Sequence, residues 1–191
     1  MRKIILFLFA VVFSISVYAQ DSIPQSTMSL HPYFEVGLDF IRNDLLQQNY
    51  ETQSIFYFGF GIQFGHSEQN KVIPYLQYSN SSFEIQKELS ANVFADSSLI
   101  SRQFSAGILV PIAQINDISL RSKLGYSYSL ITESFNDIYS GANGFQIGIG
   151  VEKKIIGNFR AYLDLTYNYQ KTRKSEFRDF DMTKFSFGFI F

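Results

Sequence analysis

Eight segments of this chain carry apolar residues at every second position, and the connections between them alternate in length from one to the next. The segments are 33–41, 54–65, 72–83, 99–110, 117–130, 143–152, 159–170 and 183–191. A side-chain period of two is that of a β-strand. Connections 42–53, 84–98, 131–142 and 171–182 run to 12–15 residues, whereas 66–71, 111–116 and 153–158 have six each. A soluble antiparallel barrel has no reason to sort its loops by length. A bacterial transmembrane barrel does sort them, keeping short periplasmic turns and longer extracellular loops, and a tilted crossing needs roughly 9 to 11 residues per strand. The pattern predicts an all-β chain forming an eight-stranded antiparallel transmembrane up-and-down β-barrel. Because the strand number is even, both chain ends fall on the periplasmic side.

The amino terminus predicts export. Arg2 and Lys3 give a positive start, Ile4 to Val17 an apolar stretch, and Val17-Tyr18-Ala19 a small-residue cleavage pattern before Gln20. The apolar run is too short for a membrane anchor, which needs about 20 residues. The expected organisation is a signal peptide over 1–19, a periplasmic tail over 20–30 containing Pro24, and a barrel domain over 31–191 that leaves no room for a second folded domain.

Aromatic residues make up 17% of the chain, yet charged residues also make up 17%, so large apolar side chains must be interspersed with polar ones. After residue 19 no 20-residue apolar block exists to form a membrane helix. The absence of cysteine excludes disulfides, zinc-thiolate sites, a cysteine nucleophile and a lipoprotein anchor. The net charge of −1 becomes −3 once Arg2 and Lys3 are removed, and no basic stripe for nucleic acid is present.

Periodicity alone does not say which phase of each strand faces outward, since a lipocalin-like soluble barrel also alternates. The glycines decide it. One phase reads Phe34, Val36, Leu38, Phe40; Phe56, Phe58, Phe60, Ile62, Phe64; Phe145, Ile147, Ile149, Val151; and Phe185, Phe187, Phe189, Phe191. The other phase carries Gly37, Gly59, Gly61, Gly107, Gly125, Gly148, Gly150 and Gly188, together with Ser105, Ser119, Ser127, Tyr57 and Tyr162. Glycine relieves crowding in the narrow interior of an eight-stranded barrel, so the bulky phase is predicted to face lipid. Tyr126, Tyr128, Tyr167 and Tyr169 toward the long loops, and Phe64, Phe159 and Phe191 toward the short turns, are expected to form the two interfacial girdles, without tryptophan.

The inward phase also holds four acids, Glu35, Asp39, Glu152 and Asp164, and four bases, Arg121, Lys123, Arg160 and Lys184. Burying any of these charges alone is costly, so they are expected to pair as a structural network. Glu152 and Arg160 flank the turn at 153–158 and can meet directly. Asp39 and Lys184 become neighbours if the first and last strands close the barrel. The same residues are open to two readings: a charge-neutral plug of packed side chains, or a gated polar pathway in which partners exchange.

The last strand, Lys184-Phe185-Ser186-Phe187-Gly188-Phe189-Ile190-Phe191, resembles the carboxy-terminal assembly signal of outer-membrane proteins, which end on an aromatic residue, usually Phe. The stretch from about residue 30 to 191 resembles the OmpA/OmpX-like and PorT-like small β-barrels. The resemblance implies a bacterial outer-membrane address. It implies recognition by the outer-membrane assembly machinery during insertion, with Phe185, Phe187, Phe189 and Phe191 as the signal. It leaves function open, because the group includes anchors, adhesins, channels, secretion accessories and membrane enzymes. A peptidoglycan-binding domain of the kind that larger OmpA proteins carry after the barrel is not expected here.

Catalysis finds little support. His31 is expected just before the first strand and His66 in the first short turn, both at the periplasmic end and out of reach of outer-leaflet lipid A. Acyl hydrolysis lacks a placed general base. His66-Ser67-Glu68 reads as a solvated turn, because consecutive residues do not converge. Two distant histidines supply no metal-ligand spacing. Gly59-Phe60-Gly61 and Gly148-Ile149-Gly150 sit mid-strand, whereas a phosphate loop needs a glycine turn leading into a helix. No cofactor is expected.

Function is therefore sought in the long loops. Loop four alternates Lys171, Arg173, Lys174 and Arg178 with Glu176, Asp179 and Asp181, and interleaves Phe177 and Phe180. Lys171, Arg173 and Lys174 are placed to meet lipopolysaccharide phosphates, or else form a solvated tip. Loop two carries Phe83, Ile85, Leu89, Val93 and Phe94, which suits either a strand extension above the membrane or a partner-binding patch. The expected role is that of a monomeric, non-enzymatic outer-membrane barrel with a side-chain-filled interior, serving a structural, adhesion or accessory function beside an unidentified outer-membrane partner. The first alternative is a narrow channel for ions or small solutes. The second is a secreted soluble lipid-binding barrel.

Overall fold

A strand that crosses a bilayer must find partners for its backbone N–H and C=O groups on neighbouring strands, and only a closed sheet leaves no edge unmet. The chain takes that solution. Its computed structural model describes residues 29–42, 55–65, 71–90, 93–133, 138–172 and 179–191. Eight strands are formed: β1 Leu30–Arg42, β2 Ile55–Phe64, β3 Ile73–Ser90, β4 Val93–Ile115, β5 Ile118–Glu133, β6 Ile138–Ile156, β7 Phe159–Thr172 and β8 Asp179–Ile190. Each pairs antiparallel with the next, and β8 pairs with β1 to close the barrel. The expected signal peptide over 1–19, nearly all of the expected tail, and His66 lie outside the described residues.

The register sets the tilt. Cross-strand partners run from Pro32 to Ile62, Leu76, Ala106, Tyr126, Phe145, Tyr169 and Asp181, and from there to Arg42, ten residues above the start (42 minus 32). For eight strands this stagger corresponds to a strand tilt of about 40° and a narrow lumen.

Two short turns are tighter than the six-residue connections read from sequence. β4 and β5 are joined by Asn116-Asp117, and β6 and β7 by Gly157-Asn158. The first residue of each turn is left-handed, with φ 53° at Asn116 and 55° at Gly157, a conformation open to Asn and Gly. Each turn is preceded by a bulge, between Pro111 and Ala113 and between Lys154 and Ile156.

The long connections are shortened too. The segment 84–98, expected as a loop, is mostly ladder: β3 and β4 stay paired as far as Ser90↔Val93. The residues 82–90 contain no Gly or Pro and keep a two-residue alternation, so nothing local stops the strand. The last described rungs to the neighbouring strands are Tyr57↔Ser81 on the β2 side and Leu99↔Glu133 on the β5 side, and the β3–β4 ladder continues beyond both.

The outward phase is bulky, as the glycine pattern predicts. Phe34, Phe58, Phe104, Ile147, Leu165 and Phe187 are all exposed on it, while the lumen is lined by Ser, Gln, Thr, Tyr and charged residues. A soluble barrel with an apolar interior is therefore ruled out. The lumen's few apolar clusters, Tyr33 with Tyr162 and Ile190, and Ile73 with Tyr75 and Leu109, close its periplasmic end. Gly107 and Gly125 face each other across β4 and β5, and an added Cβ on either would run into main-chain atoms or the Tyr75 hydroxyl. That gap gives the Tyr75 ring its room inside the wall.

Candidate functional site

All eight inward charges are buried, none more than 6% exposed. Arg121 on β5 is the central bracket. Its guanidinium donates to Glu152 Oε2 at 2.6 Å and takes Asp164 in a two-pronged grip at 3.1 Å to each carboxylate oxygen. Arg160 adds a second cation to Glu152 at 3.0 Å, the direct pairing anticipated from the turn between them. On the opposite wall Lys184 lies 3.6 Å from Asp39, its cross-strand partner at the closing seam.

Glu35 and Lys123 are joined through an intermediary. Lys123 Nζ donates to Gln77 Oε1 at 2.7 Å, and Gln77 Nε2 donates in turn to Glu35 Oε1. The Tyr162 hydroxyl donates to the other Glu35 oxygen at 2.9 Å. Three cations also rest on tyrosine faces: Arg121 over Tyr162 at 4.5 Å, Lys123 over Tyr75 at 5.0 Å and Lys184 over Tyr57 at 4.6 Å. Above this charged layer the lumen turns neutral. Lys184 donates to Ser79, Ser79 to Gln103, Gln103 to Asn168, and Gln170 to Ser127.

Between Glu35, Tyr75, Arg121, Lys123, Tyr162 and Asp164 a cavity of about 10 Å³ remains. That is room for roughly one water molecule among several polar partners. At the level of these charges the lumen is thus filled by side chains that hold one another.

Tyr57, Tyr75, Gln77, Ser79, Gln103 and Asn168 join this network without having been singled out as members. They occupy the same inward phase as the charges, so the alternation that places Glu35 inward also places them there. What the alternation lacks is the identity of their partners.

His31 lies within β1 rather than before it, correcting the expected placement. It is buried at the periplasmic rim, where Nδ1 donates to the main-chain oxygen of Phe191 at 3.0 Å and Nε2 lies 2.7 Å from the Ser29 hydroxyl. Phe191 N donates to Pro32 O at 2.9 Å, so the start and end of the chain are tied together. Among the described residues no cluster of His, Asp and Glu converges to hold a metal.

The carboxy-terminal aromatics stand on the outer wall. Phe185, Phe187 and Phe191 are exposed, and Phe159 stacks on Phe189 at 5.4 Å between ring centres. Tyr126 and Tyr167 are exposed toward the long loops, and the Tyr167 hydroxyl donates to Asp181 at 2.9 Å. Of the loop-four residues, Lys171 is an exposed residue of β7, Asp179, Phe180 and Asp181 belong to β8, and 173–178 lie outside the described residues.

Residues 5–191 match the family model described as outer membrane protein beta-barrel domain. Among solved structures, the Neisserial surface protein A is similar at 13% identity and a TM-score of 0.57, covering 84% of this chain and 95% of that one. The outer membrane protein OprG from Pseudomonas aeruginosa is similar at 10% identity and a TM-score of 0.53, covering 86% and 97%. At such identities the likeness is one of fold. No curated protein matches the chain significantly.

Proposed function

The chain belongs to the family of outer membrane protein beta-barrel domains, a protein of the bacterial outer membrane, and on that footing we propose that it acts through its outer surface and not through its lumen. The observation that carries this reading is the filled interior. Six of the eight inward charges pair directly, Lys123 and Glu35 are linked through Gln77, and the cavity among them holds about one water. The role is that of a monomeric, non-enzymatic structural, adhesion or accessory barrel. Its extracellular contact element is the β3–β4 hairpin, which continues its ladder to Ser90↔Val93 beyond the last described rungs to β2 and β5. A two-stranded hairpin is only marginally stable alone, so a protein partner that covers it would gain a preformed platform. Phe185, Phe187, Phe189 and Phe191 serve the assembly machinery as the insertion signal.

Two measurements on one preparation test the reading. The wild-type protein in planar bilayers is expected to be silent; discrete conductance steps would establish the narrow-channel alternative instead. Purification from native outer membranes in mild detergent, with mass spectrometry of co-purifying proteins, is compared for the wild type and a variant in which residues 84–96 are replaced by a short Gly-Ser turn. A stoichiometric partner retained by the wild type and lost by the variant supports a surface role for the hairpin, and equal retention by both removes it.

A further inference from the structure

On β4 the apolar outward face gives way to a cation at its upper end. On β4 the outward residues from the periplasmic bulge upward are Ile112, Val110, Ile108, Ala106 and Phe104, and the next is Arg102. Arg102 is exposed, and among the described residues it has neither an ion pair nor a hydrogen-bond partner. It lies ten residues above Ile112, which at about 40° of tilt is about 25 Å of height, the thickness of the apolar band of such barrels. Arg102 therefore stands at the outer headgroup level, above the hydrocarbon.

Its surroundings are uncharged polar and apolar groups. The cross-strand partners of Arg102 are Asn80 on β3 and Leu130 on β5. Ser82, two residues above Asn80 and in the same phase, is exposed. Asn80 has its Oδ1 buried in the wall with no partner among the described residues. A second outward cation near this height, Lys171, has an acid, Asp179, as its register partner. Neither partner of Arg102 is acidic. A guanidinium with five N–H donors, flanked by an amide and a hydroxyl at a membrane interface, matches a phosphate group in geometry and in charge.

We propose that Arg102, with Asn80 and Ser82, forms a binding site for the phosphate of an outer-leaflet lipid headgroup, whose acyl chains lie against Tyr78, Phe104 and Ile108 below. This rests on the membrane placement of the chain and is independent of the role assigned to the hairpin. The bound lipid supplies Arg102 with the counter-charge that no described residue provides.

The test is a titration of the folded full barrel in mild detergent with bis-phosphorylated lipid A and with its dephosphorylated form, read by native mass spectrometry. The expected result is one tightly held phosphorylated lipid per barrel, with affinity about tenfold lower for the phosphate-free form and for Arg102→Gln, and an intermediate loss for Arg102→Lys. Folding of each variant is verified by its heat-modifiable gel mobility. A second variant, Asn80→Ala with Ser82→Ala, keeps the charge and is expected to weaken binding two- to threefold. Equal binding of the two lipid forms, or an unchanged affinity in Arg102→Gln, would overturn the assignment.

Discussion

Asp39 on the first strand and Lys184 on the last are register partners whose side chains meet at 3.6 Å, so the seam where the chain closes on itself carries a buried ion pair inside its backbone ladder. Lys184 also contacts Ser79 at 3.0 Å and sits over the Tyr57 ring, which ties the seam to strands two and three. Removing one member of such a pair leaves the other charged in a narrow, dry lumen.

Lys184→Met is therefore expected to cost about 3–5 kcal/mol, while the double variant Asp39→Leu with Lys184→Met recovers most of that loss. Urea unfolding in lipid vesicles followed by far-ultraviolet circular dichroism measures both. Additive losses in the double variant would mean that the two residues do not compensate one another.

Arg121 bridges Glu152 and Asp164. Arg121→Ala takes away the bracket and enlarges the central cavity beside two carboxylates. A folded Arg121→Ala barrel is expected to show small cation-selective conductance steps in a planar bilayer where the wild type is silent, with selectivity read from the reversal potential in a salt gradient. A silent variant would place the barrier elsewhere along the lumen.

Glycines of the wall differ in what they can tolerate. A Cβ at Gly107 would approach Gly125 Cα at 2.6 Å and collide with the Leu124 carbonyl, both main chain. At Gly59 the nearest atoms belong to the Glu35 side chain at 3.0 Å, which can shift. Gly107→Ala is expected to cost about 1–3 kcal/mol and Gly59→Ala less, by the same unfolding measurement.

The contact between His31 and the Phe191 main-chain oxygen closes the periplasmic rim. His31→Ala removes this half-buried hydrogen bond and is expected to cost about 0.5–1.5 kcal/mol. Hydrogen exchange is expected to quicken at the Phe191 and Gly65 amides, which donate to Pro32 and Ser29 nearby, and to stay unchanged at the far end of the barrel.

Much of the architecture is legible in local pattern. Phe56, Phe58, Phe60 and Ile62 alternate with Tyr57, Gly59 and Gly61, and the two sets do face lipid and lumen, because a strand's side-chain period is a property of its own backbone. Local pattern left loop two open: Phe83, Ile85, Leu89, Val93 and Phe94 suit a strand extension above the membrane or a partner patch, and β3 and β4 stay paired there, because outside the membrane a polar strand is as free to continue as an apolar one. The network partners of Arg121 were not legible at all. Glu152 and Asp164 lie 31 and 43 residues away along the chain, on different strands.

The amino-acid sequence by itself determined the number of strands, the side on which the short turns lie and which face meets lipid, because each follows from period, spacing and side-chain size within a short stretch. Only the tertiary structure decided that Arg121 brackets Glu152 and Asp164, how full the charged layer of the lumen is and that Arg102 has no ion-pair partner among the described residues. Those outcomes depend on the ten-residue stagger of the closed sheet, which sets the height of every residue against its neighbours. A stagger is a property of the whole ring, and no single strand carries it.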